Sequence, residues 1–118
     1  MGSRLDDFPV EKPHCAVALC LAVISGRWKG IIIYHLLDGT KRFNELRRLI
    51  PAVSQRMMTA QLRELEQDGV IRREVFPVVP PHVEYSLTEF GLSLEPIVRQ
   101  MEKWGNDYHN SGKKNGCD

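Results

Sequence analysis

Arg56, Thr59, Ala60 and Arg63 recur at helical spacing, and on a wheel advancing about 100° per residue they share one side, opposite Met58, Leu62 and Leu65. The apolar side must turn toward a core, which leaves the cationic side in solvent. Glu64, Glu66 and Asp68 are displaced toward the C-terminal end or the flanks, so the outer face begins without acidic residues. That combination suits a DNA major groove, whose width admits one helix. Arg56 and Arg63 have the geometry for paired hydrogen bonds to guanine, Gln55 turned outward for adenine, and Ser54 and Thr59 for phosphate oxygens. A solvated surface helix accounts for the same charges when the segment is taken alone, so its neighbours decide between the two.

Those neighbours are cationic as well. Arg47 and Arg48 lie on the preceding helical segment, where one or the other is expected to touch phosphate, while Arg72 and Arg73 open a strand-forming segment. Consecutive strand residues point to opposite faces, so at most one of Arg72 and Arg73 reaches a given surface, and the other is free to pair with Glu74 or Glu84. His82 follows a proline-rich loop and is expected at its tip, near a minor groove. Residues 41–73 hold eight Lys or Arg against four Asp or Glu, within a chain of net charge +1. This local excess points to an anionic partner.

Other chemistry is poorly supplied. Three cysteines, an odd number without paired spacing, do not describe a secreted disulfide framework and fit a reducing compartment. Cys15 stands at the start of an apolar run, where a helix N-terminus favours a thiolate and a protonated His14 would add to that effect. A buried structural thiol is the competing role for a cysteine so flanked. Cys20 is most simply core, and Cys117 lies in a polar tail. No CxxC or HxxxH spacing announces a metal, and no cofactor is expected. Nucleophile signatures, glycine-rich phosphate loops and paired catalytic carboxylates are equally lacking, so the chain does not read as an enzyme.

The elements that must position these residues follow from periodicity and punctuation. Residues 15–24 (CAVALCLAVI) form an almost continuous apolar run, expected as a helix buried on most sides, with a buried strand as the alternative. Residues 27–37 form a second helix with Trp28, Ile32 and Leu36 inward, stopped by Asp38-Gly39. A short extended piece at 41–43 leads to a helix over 45–50, capped by Asn44 and closed by Pro51. Ser54 caps the clearest helix, 55–68, which Gly69 ends. Segments 70–76 and 83–88 are strands separated by a stiffened loop at 77–81, and a hairpin after a helix-turn-helix is a wing. Thr88 caps a last helical region that Pro96 either kinks or restarts. Within it Ile97, Met101, Trp104 and Tyr108 fall on one stripe.

At 118 residues and 42% hydrophobic content the chain supports one compact core. Residues 1–13 are expected as a flexible arm, 14–109 as the folded domain, and 110–118 as a disordered tail. No stretch approaches the roughly 20 apolar residues that span a bilayer, and the N-terminus lacks a signal-peptide core, so no membrane partner and a cytoplasmic location are expected. The fold class is mainly α with a small β-hairpin wing (α+β), a winged helix-turn-helix.

The words GRWKGIIIYHLLDGTKRFNELRRLIPAVSQRMMTAQLRELEQDGVIRREVFPVVPPHVEYSLTEFG closely resemble the HxlR-type winged helix-turn-helix transcriptional regulators of bacteria and archaea. The likeness runs over about residues 15–104, through the GRWK entrance, the RFNELRRLIP and VSQRM stretches and VPPHVEYSLT across the wing. It implies a DNA-binding regulator, expected as a repressor, acting as a homodimer on a pseudo-palindromic double-stranded operator. The dimer is joined through N- and C-terminal helices, here Leu19 with Ile97, Met101, Trp104 and Tyr108. The apolar run and the stripe call for a partner on physical grounds too, since one chain can hardly hide both. Cys15 matches the position at which many members sense oxidants or electrophiles, although here Ala16 follows it where the family has proline. A small-molecule effector is compatible with this resemblance. The rival is a winged-helix module that binds another protein, which would not need arginine on the groove face.

Overall fold

The structure, a computed structural model, describes residues 4–111. The tail expected at 110–118, with Cys117, lies outside these residues from position 112 on, as does the start of the N-terminal arm. Arg4, within that arm, is tied back onto the domain: its guanidinium holds both carboxylate oxygens of Asp68, at 3.1 and 2.9 Å.

Helix α1 (Pro13–Ile24) and helix α2 (Lys29–Leu36) meet at a 75° bend. Gly26, between them, takes a φ of 89°, a left-handed backbone that a side chain would resist. No single described helix is long and apolar enough to cross a membrane. The β-branched run Ile31-Ile32-Ile33 is helical, because Ile32 and Ile33 both reach the core with no exposed surface and tertiary burial outweighs their strand preference. The expectation that the 15–24 run is buried on most sides is corrected. Only Val23 and Ile24 are buried in α1, and Val17 and Leu21 stand 60% and 53% exposed.

Strand β1 (Lys41–Arg42) leads directly into helix α3 (Phe43–Leu49). That helix starts earlier than expected, and Asn44 is not its cap. The Glu45 carboxylate accepts the Arg42 N–H at 2.8 Å, which makes Arg42 the capping position. A turn pinned by buried Val53 leads to helix α4 (Gln55–Gln67), capped as expected by Ser54, whose hydroxyl accepts the Met57 N–H at 3.0 Å. At its far end Gly69, with φ 77°, closes a Schellman motif: the Val70 N–H returns to the Leu65 carbonyl and the Gly69 N–H to that of Glu66.

Strands β2 (Ile71–Phe76) and β3 (His82–Leu87) form the hairpin, and β1 pairs on the other side of β3, giving a three-stranded antiparallel sheet in the order β1-β3-β2. The short helix α5 (Glu89–Leu92) is capped by Thr88. Gly91 there lies so close to the Val70 carbonyl that a Cβ would collide with it. Pro96 sits in the first turn of a new helix, α6 (Glu95–Asn110), rather than kinking an old one. The core joins Ile32, Ile33 and Leu36 of α2 to Leu46, to Met58, Leu62 and Leu65 of α4, and to Ile71, Tyr85 and Leu87 of the sheet. The α4 helix is thus held from beneath, with its other side free.

Candidate nucleic-acid interface

Burying Met58, Leu62 and Leu65 leaves Gln55, Arg56, Thr59 and Arg63 exposed, with Ala60 half-buried among them. These five residues line one shallow hollow along the outer side of α4. Arg56 and Arg63 have no acidic partner among the described ion pairs, so both cations face solvent. Ser54 keeps its hydroxyl at the helix start, with the oxygen engaged as the cap. Thr59 donates its hydroxyl to the Gln55 carbonyl at 2.9 Å, so the proton that would meet a phosphate is committed within the helix and the methyl group remains for contact.

Arg73 joins this face, and the strand pattern alone did not select it over Arg72. A cleft beside α4 is lined by Thr59, Arg63 and Glu66 together with Arg73 and Tyr85. The usable signal was Ile71: it is buried, and strand alternation puts Arg73 on the same face two residues on. Arg72 takes the opposite face, and no described ion pair joins either arginine to Glu74 or Glu84. Glu84 is paired with His82 instead.

His82 is not at the tip of the wing. It opens β3, its ring stacked on Phe76 at 4.7 Å between centroids, and its Nε2 lies 3.0 Å from a Glu84 carboxylate oxygen. The tip belongs to the 77–81 loop, where Val79 is 99% exposed. Arg48 is exposed on α3, whereas Arg47 is half-buried with its Nε enclosed and unpartnered among the described residues. Cys15 occupies the third position of α1, behind Pro13, and is a half-exposed free thiol. Cys20 is partly buried and packs against the core, in a groove between α1 and the α5–α6 region lined by Leu19, Val23, Leu94 and Ile97. On α6, Ile97, Met101, Trp104 and Tyr108 are 40 to 69% exposed, and the rings of Trp104 and Tyr108 stack 5.5 Å apart.

Residues 23–113 match the family model described as HxlR-like helix-turn-helix. An uncharacterized HTH-type transcriptional regulator of Bacillus subtilis strain 168, YybR, is 58% identical over 105 residues, which is 89% of this chain and 83% of the relative. Among solved structures, the redox regulator HypR in its reduced form superposes with a TM-score of 0.79 at 58% identity, covering 83% of this chain and 97% of that one. Its oxidized form gives 0.76 at 62% identity, covering 79% and 96%. These relatives support binding to DNA through the helix-turn-helix and do not support the protein-interaction module.

Proposed function

This chain belongs to the HxlR-like helix-turn-helix family, and we propose that it is a DNA-binding transcriptional regulator that reads a pseudo-palindromic operator as a homodimer. The observation that carries the proposal is the outer face of α4, where Arg56 and Arg63 stand exposed and unpaired beside Arg73, above a helix held from below by its apolar side. In the major groove Arg56, Arg63 and Gln55 meet base edges, the Thr59 methyl group and Ala60 meet thymine methyls, and Arg47, Arg48 and Ser54 meet the backbone. The loop at 77–81 reaches the adjacent minor groove, and His82 acts by ordering its base through Phe76 and Glu84.

Dimerisation covers what one chain leaves open. The exposed side of α1 around Leu19 and Leu21 and the α6 stripe from Ile97 to Tyr108 form the contact, placing two α4 helices about 34 Å apart, one turn of DNA. Cys15, at the first turn of α1, is positioned so that its oxidation or alkylation alters that contact, and the similarity to a redox regulator favours this thiol as the sensor. Selecting bound duplexes from random DNA tests the proposal. Enrichment of an inverted repeat is the expected result, and a bound pool with no common sequence would overturn it.

A further inference from the structure

Two ion pairs grip the C-terminal half of α4, one helical turn apart. Lys29 Nζ donates to Glu64 Oε1 at 2.7 Å, and the Arg4 guanidinium takes both oxygens of Asp68. In each pair one member is nearly enclosed: the Lys29 side chain is 7% exposed and that of Asp68 3%. Both enclosed charges also stand at the wrong pole of a helix. Lys29 is the first residue of α2, where the backbone dipole disfavours a cation, and Asp68 is the C-cap of α4, where it disfavours an anion. Burial in an unfavourable field is a poor route to stability, since an apolar pair of similar volume usually serves as well or better. In some proteins such a pair serves instead to fix a direction.

The far ends of the two grips are informative. Arg4 also donates to the Ala22 carbonyl at 2.6 Å, in the last turn of α1, so one side chain ties α1 to the end of α4. Lys29 ties the start of α2, just beyond the 75° bend from α1, to the C-terminal half of α4, one turn before Asp68. Neither contact touches the outer face that carries Arg56 and Arg63. We infer that Arg4 and Lys29 are positioning residues that set the angle of α4 against the α1 frame, and through it the half-site spacing the protein accepts. This rests on the DNA-reading role proposed above. Loss of either pair should leave phosphate attraction in place, because that term depends on charge and little on register, and should damage the match between two reading helices and two half-sites.

The test uses the full chain and an operator enriched from random duplexes, with two double variants that remove a buried charge together with its partner: Arg4→Ala with Asp68→Asn, and Lys29→Met with Glu64→Gln. Each is compared with wild type for binding to the operator, to random duplex, and to operators whose half-sites are moved by one base pair. The expected result is a drop of about tenfold in the ratio of specific to random binding, the size of one mismatched base pair, with a flattened spacing preference. Random-duplex affinity and its salt dependence should hold, since both variants conserve net charge. A folded, dimeric variant with wild-type ratio and spacing preference would overturn the inference, leaving the pairs a role in stability alone. If one variant fails to fold, the other decides by the same measurements. A wild-type protein unable to tell operator from random duplex would instead overturn the DNA-reading role itself, and the inference with it.

Discussion

The α4 and α1 helices are nearly equal in length, thirteen and twelve residues, and opposite in how their sequences relate to their surroundings. In α4 three apolar residues at positions 58, 62 and 65 are buried, and apart from Met57 and Ala60 the rest is polar, so the chain itself satisfies the pattern. In α1 apolar residues occupy nearly every position, yet only the last two are buried. An amphipathic helix defines its own orientation within a domain. A helix apolar all round and still exposed is specified by something the single chain does not contain.

The largest expected effect separates the two kinds of burial. Leu62→Ala removes a side chain only 2% exposed beneath the reading helix, and should lower folding stability by about 2–5 kcal/mol, as core truncations to alanine do. Denaturant unfolding measures it, and a loss below about 1 kcal/mol would mean that α4 is not anchored by this face. Trp104→Asp alters a residue 69% exposed in the single chain. It should halve the solution mass while leaving the circular dichroism spectrum of the fold intact. A variant that remains dimeric would show that the partner of α1 lies elsewhere.

How much of this was legible in the sequence follows the same division. The α4 boundaries, its Ser54 cap and its buried stripe were readable because every determinant lies within the segment or next to it. The winged hairpin was readable for the same reason. The Arg42 cap was not, because it depends on the Glu45 carboxylate reaching back to a backbone N–H that no residue type advertises. The third strand, Lys41 paired with Tyr85, depends on contact between distant positions. The Arg4 and Lys29 grips on α4 required knowing which faces meet, whereas Arg73 shares the strand face of apolar Ile71 and could be chosen over Arg72 on that ground. The exposure of α1 is not legible in its residues, because composition reports that a surface must be covered without reporting by what.

The outer face of α4 supplies the next effect. Arg63→Ala should weaken operator binding by about 1–3 kcal/mol and relax specificity at one position, while Arg47→Ala should weaken all duplexes alike and reduce the salt slope by about one. Binding titrations at several salt concentrations distinguish the two patterns. Equal behaviour of both variants would erase the distinction between base-reading and backbone residues. At the start of α1, Cys15→Ser should leave operator binding intact and abolish its release by diamide or a quinone. Release unchanged by the substitution would exclude Cys15 as the responsive group.

The smallest effect is expected in α2, which packs against both α1 and α4. Burial holds the His35 imidazole below its usual titration range, with the Lys41 cation acting in the same direction and Asp38 opposing it. The folded chain therefore binds this proton less readily than the unfolded chain does. Above the usual histidine range both states leave His35 neutral and its contribution is constant. As pH falls through that range the unfolded state takes up the proton first, so stability drops until the pH passes the lowered folded value, below which no more is lost. Denaturant midpoints at about pH 7.5 and about pH 5.5, on either side of the ordinary imidazole value, should differ in wild type and differ less in His35→Gln. Other groups also titrate in this interval, so the informative quantity is the difference between the two proteins. An identical pH dependence in both would show that the pocket around His35 opens to water in the folded protein.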